Sequence, residues 1–114
     1  MSLEEELKNM PKLTAIGLAL AQFAASLTQG EFIHEGKKWV YRPANFIAFT
    51  IQYARAKNIV LSLYGNWRDF EKNSVLEIVS GRSYNYIECR ITEPRQVLAA
   101  ANYIQRSFEL YSQH

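Results

Sequence analysis

Apolar residues at helical spacing open and close this chain, and between them apolar residues recur at every second position. Near the start, Leu13, Ile16, Leu20, Phe23 and Leu27 follow one helix face. Near the end, Val97, Ala101, Ile104, Phe108 and Tyr111 do the same. Strands grouped in the middle with helices outside specify an α+β domain. At 114 residues the chain is expected to form a single domain, 1–114, around one core.

The middle divides into strand-like runs. Glu31–His34 and Lys37–Arg42 flank Glu35-Gly36, a hairpin signature, and Pro43 ends the second run. Asn45–Tyr53 alternates, with Ile47, Phe49, Ile51 and Tyr53 on one face and Phe46, Ala48, Thr50 and Gln52 on the other. Asn58–Tyr64 sets Ile59, Leu61 and Leu63 opposite Val60, Ser62 and Tyr64. The short link Ala54–Lys57 makes this pair antiparallel. Gly65–Ser74 reads as a surface loop. Ser74–Val79 and Ser83–Ile91 flank Ser80-Gly81-Arg82, a further hairpin. In the last run Ile87, Cys89 and Ile91 oppose Tyr84, Tyr86, Glu88 and Arg90. Pro11 separates Leu3–Met10 from the first long helix, Gly30 stops that helix, and Thr92 is the expected N-cap of the last, with Pro94 in its first turn. The expected fold is a mainly antiparallel sheet of five or six strands. An N-terminal and a C-terminal helix pack on one face, and the other face is left open.

Charge is distributed unevenly over that plan. Between Gly36 and Arg68 lie six basic residues and no acid, interleaved with seven aromatics. The remainder holds seven basic and eleven acidic residues, so the overall +2 conceals a basic middle. Such a field attracts polyanions or acidic protein surfaces. With the aliphatic rows under the helices, the open face would gather Lys38, Arg42, Tyr64, Tyr84, Tyr86 and Arg90, with Arg55 and Lys57 at a strand end. Tyrosine rings could stack on bases while cations hold phosphates. The competing reading is a solvated sheet face, where Tyr, Thr and Lys are common. Trp67 and Phe70 in the loop are either exposed anchors or covers for the core edge, and Arg68 joins Trp67 among the candidate binding residues. Either helix stripe could also form a homodimer seam.

Reactive chemistry finds little footing. Cys89 is the only cysteine and falls in an apolar row, which suits an inert thiol in a reducing compartment, so a cytoplasmic location is expected. His34 and His114 are too few to anchor a zinc site, and no metal or cofactor is expected. Phosphate-binding glycine patterns and nucleophile elbows are missing from the sequence. A hydrolytic enzyme would have to use Asp69, Glu71 and Glu77 with Lys72, or His34. The Ala-rich stretch Leu13–Leu27 is short for a span and follows Glu4-Glu5-Glu6, so no membrane partner is expected.

The runs Phe46-Ile47-Ala48-Phe49-Thr50-Ile51, Ala56-Lys57-Asn58-Ile59-Val60-Leu61-Ser62-Leu63-Tyr64 and Tyr86-Ile87-Glu88-Cys89-Arg90-Ile91 carry a resemblance. In order and hydrophobic pattern the chain resembles a small α+β domain family of uncharacterised members. These occur alone or fused to predicted restriction-associated and transport-labelled proteins. The resemblance implies a non-enzymatic accessory domain and carries no catalytic residues. The expected function is a small non-catalytic binding or regulatory module, nucleic-acid-associated through the basic aromatic face. The alternatives are a self-associating interaction module and a hydrolase built on the acidic loop at 69–77.

Overall fold

The alternating middle of the chain forms a single sheet. The computed structural model describes residues 1–113, and His114 lies outside them. The strands are β1 (Glu31–Glu35), β2 (Lys38–Arg42), β3 (Ile47–Gln52), β4 (Asn58–Tyr64), β5 (Ile78–Ser80) and β6 (Tyr86–Ile91). They lie in the order β1-β2-β3-β4-β6-β5, and every pairing is antiparallel. The register sets Trp39 beside Phe49, Phe49 beside Leu61 and Leu61 beside Cys89. None of these four is more than 4% exposed. Burying each such side chain contributes about 1.5–3 kcal/mol, so this row largely decides which face turns inward.

The helices are α1 (Leu3–Leu7), α2 (Thr14–Leu27) and α3 (Val97–Ser112). Ser2 caps α1: the Glu5 N–H donates to Ser2 Oγ and the Ser2 N–H to Glu5 Oε1, both at 3.1 Å. Thr14 Oγ1 ties α2 to the preceding turn, donating to the Leu7 or Met10 carbonyl. α2 and α3 pack side by side on the face that carries the aliphatic rows. No helix among the described residues is long and apolar enough to cross a membrane.

Both long helices bury a face slightly turned from the one their stripes indicate. In α2 the buried residues are Gly17, Leu20, Ala21 and Ala24, with Ile16, Phe23 and Leu27 half-buried at the flank. In α3 they are Ala99, Ala100, Tyr103, Ile104 and Ser107, with Val97, Ala101, Phe108 and Tyr111 at the flank. Each helix packs on the sheet and on the other helix, α2 also meets α1, and small residues sit where approach is closest. A Cβ added at Gly17 would lie 2.7 Å from Leu7 Cδ2 and 3.0 Å from Ile59 Cδ1. Spacing finds the large apolar residues and overlooks the small ones that permit contact.

Two local expectations are corrected. Phe46 does not share the open face with Ala48. It precedes β3 in a tight turn, its N–H donating to the Ala44 carbonyl, and its ring sits at 0% exposure among Tyr41, Phe108 and Tyr111. Thr92 is not the cap of the last helix. A single 3-10 turn, Pro94–Gln96, precedes α3, and Glu93 and Gln96 form a reciprocal capping box there. Beneath α3, Ser107 Oγ lies 2.9 Å from both the Phe46 and Tyr64 carbonyls and donates to one at a time. Ser107→Ala is expected to cost about 0.5–1.5 kcal/mol in a urea titration, the net worth of one hydrogen bond, because the Phe46 carbonyl keeps the Tyr64 N–H.

Candidate functional site

The open face of the sheet exists, and its charge is balanced. Lys38, Arg42 and Arg90 lie on it, but the register also brings Glu31, Glu35 and Glu88 there. Arg42 is clamped by Glu35, with Nε to Oε2 and Nη2 to Oε1 each at 2.9 Å. This guanidinium holds the Glu35 carboxyl below its ordinary range. Arg90 Nη1 donates to Gln52 Oε1 at 3.2 Å. A face with both signs interleaved does not project the one-signed field that the basic segment suggests.

The tyrosines separate too. Tyr64 and Tyr86 sit opposite one another at one end of the sheet, half-buried, with ring centroids 5.6 Å apart. The Tyr86 hydroxyl donates to the Asn45 carbonyl at 2.7 Å, and burial raises its pKa. Tyr64 packs edge to face with both Tyr86 and Tyr111. Tyr84 is on no strand: it projects from the β5–β6 connection, 90% exposed. Trp67 and Arg68 lie in a 3-10 turn, Trp67–Asp69, beside β5, with the Arg68 guanidinium 5.4 Å from the Trp67 ring centre.

What remains of the basic segment gathers at the opposite end of the sheet. β1 and β3 run in the same direction, so the β1–β2 and β3–β4 turns project together. They carry Lys37, Lys38, Arg55 and Lys57, none of which makes an ion pair among the described residues. β2 and β3 pair only at Trp39–Phe49 and Val40–Ala48, so the two hairpins part toward their tips. The gap is a shallow groove of about 770 Å³, lined by His34, Lys37, Thr50, Gln52, Tyr53 and Arg55 among others. Its floor is ordered. His34 stacks on Trp39 at 4.4 Å with an 11° tilt, and Trp39 Nε1 donates to Glu6 Oε1 at 2.9 Å. Tyr53 is 43% exposed at the rim.

Of the ten candidate binding residues, the fold brings Lys38, Arg55 and Lys57 together at this rim. It places Arg42, Tyr64, Tyr84, Tyr86, Trp67 and Arg68 elsewhere and leaves Arg90 between. Lys37 and Tyr53 belong to the rim but escaped the face-by-face reading, because turn residues have no face. Of the candidate hydrolytic residues, His34 is on β1 at one edge of the sheet, about 24 Å across five strand spacings from β5 at the other. Asp69, Glu71 and Lys72 line one hollow beside α3, and Glu77 borders the neighbouring groove. Asp69 is already used, accepting the Asn66 N–H at 3.2 Å. Burial pushes the Cys89 thiol up to about 12, so it holds its proton at neutral pH. Comparison with protein-family models, curated proteins and solved structures returns no match for this chain. The fold and site therefore define a class: a small antiparallel α+β domain with helices on one side and a cationic rim at one end.

Proposed function

We propose that this protein is a small non-catalytic binding module of the cytoplasm that holds nucleic acid at the cationic rim. The observation that carries this reading is the set of four cations without ion pairs, Lys37, Lys38, Arg55 and Lys57, at two adjacent turns. Phosphates would meet these cations, and an exposed Tyr53 ring beside them offers a stacking surface. The buried thiol and the distance between His34 and the acidic loop support a binding role over a catalytic one. The non-enzymatic resemblance agrees with it.

Fluorescence anisotropy with single- and double-stranded oligonucleotides over a salt series tests the reading. Affinity is expected to fall steeply with salt. Lys37→Ala, Arg55→Ala and Lys57→Ala combined should reduce the log–log salt slope by about 2–3. Arg42→Ala should leave binding unchanged, since Glu35 already occupies that guanidinium. No binding at low salt removes nucleic acid and leaves an acidic protein surface as the partner. One observation favours self-association as a second reading: an open face with three acids and three bases is electrostatically self-complementary. Light scattering showing a concentration-dependent mass would support it.

A further inference from the structure

At the edge of the sheet away from β1, the main chain of β5 is half unused. The Gly81 N–H donates to the Tyr86 carbonyl at 2.8 Å. Two residues back along the same register, Val79 and Glu88 form the next hydrogen-bonded pair. Consecutive strand residues send their N–H and C=O to opposite sides. The backbone groups of Ile78 and Ser80 therefore point away from β6, and none has a partner among the described residues.

These groups border a groove on the molecule's surface. After β4 the chain runs through the Trp67–Asp69 turn, crosses the flank of α3 and returns to β5. α3 and the 3-10 turn before it tie this strap down at three carbonyls. Arg106 Nε donates to Asp69 at 2.9 Å, Gln96 Nε2 to Val75 at 3.0 Å and the Tyr103 hydroxyl to Leu76 at 3.1 Å. Between strap and strand lies a groove of about 860 Å³ whose apolar lining includes Trp67, Phe70, Leu76 and Val79. Trp67 is 45% exposed and Val79 47%. Its charged lining is Arg68, Lys72 and Glu77, none of them in an ion pair among the described residues.

We propose that this edge accepts an extended acidic peptide from a partner protein as an added strand. Alternating outward donors and acceptors match the backbone of another strand. The neighbouring apolar lining would take alternate side chains, and the surplus of Arg68 and Lys72 over Glu77 selects acids between them. The site is separate from the cationic rim and does not depend on it.

The test uses the full chain, isotopically labelled, and a blocked heptapeptide alternating glutamate and isoleucine. In the free protein the amides of Ile78 and Ser80 should exchange with solvent faster than that of Val79. Saturating peptide should slow both by about tenfold or more. Trp67→Ala and Ser80→Pro should each weaken binding by about tenfold or more; proline removes only an outward N–H on an edge strand. The same peptide N-methylated at alternate residues should not bind, which preserves the test should the proline variant fail to fold. The proposal is overturned by no binding at about 1 mM peptide, by protection that maps elsewhere, or by equal binding of the N-methylated or lysine-for-glutamate peptide. Substituting Lys37, Arg55 and Lys57 should leave peptide binding intact, and Trp67→Ala should leave oligonucleotide binding intact, so each site fails or stands by itself.

Discussion

Leu61→Ala is expected to lower the free energy of unfolding by about 2–5 kcal/mol, while Thr50→Ala on the adjacent strand should change it by less than about 1 kcal/mol. Leu61 sits on β4, between β3 and β6, under α3, at 0% exposure. Truncating it removes apolar contacts and leaves a cavity that the sheet cannot close without moving Phe49 and Cys89, its cross-strand neighbours. Thr50 is half-buried and faces the other way. The pair compares one side of the sheet with the other, and chemical denaturation reads it directly. Equal losses would mean that both faces are packed, which contradicts the one-sided layering.

The second large effect is on alkaline stability. Burial, reinforced by the nearby Glu88 charge, raises the Cys89 pKa from 9.0 to about 12. The folded state thus favours the protonated thiol, and the unfolded chain is free to ionise it. Below pH 9 this preference contributes fully. As pH rises toward 12 it is lost at about 1.4 kcal/mol per unit, roughly 4 kcal/mol in all. Burial also raises the pKa of Tyr41, Tyr86 and Tyr103, which adds a further loss in the same direction at higher pH. Cys89→Ala separates the two: denaturation curves from pH 8 to pH 11 should show a clearly shallower decline for the variant. Identical slopes would show that the thiol ionises equally in both states.

The strand rows were legible because alternation is local: Ile47, Phe49 and Ile51, or Ile87, Cys89 and Ile91, announce an inward face without knowledge of any partner. The layering followed from two one-sided helices at the ends. The site was less legible, since it depends on what lies opposite what. The β1–β2 hairpin was legible, but not that the Glu35 carboxylate would reach along it to the Arg42 guanidinium, or that Glu88 would arrive beside β4. Local charge counts therefore overstated the basic face. The rim was half visible, as a run without acids, but the splaying of β2 from β3 that exposes it is a matter of pairing. The free edge of β5 left no trace in composition, because it is written in backbone hydrogen bonds.

The three hydrogen bonds by which α3 and the turn before it hold the strap all grip main-chain oxygens, those of Asp69, Val75 and Leu76. Among the described residues, the side chains of Glu71, Lys72, Ser74 and Glu77 make no hydrogen bond or ion pair that holds the strap. Mutation can rewrite these positions while the frame stays put, so the preferences of this corner can drift among descendants at little risk to folding.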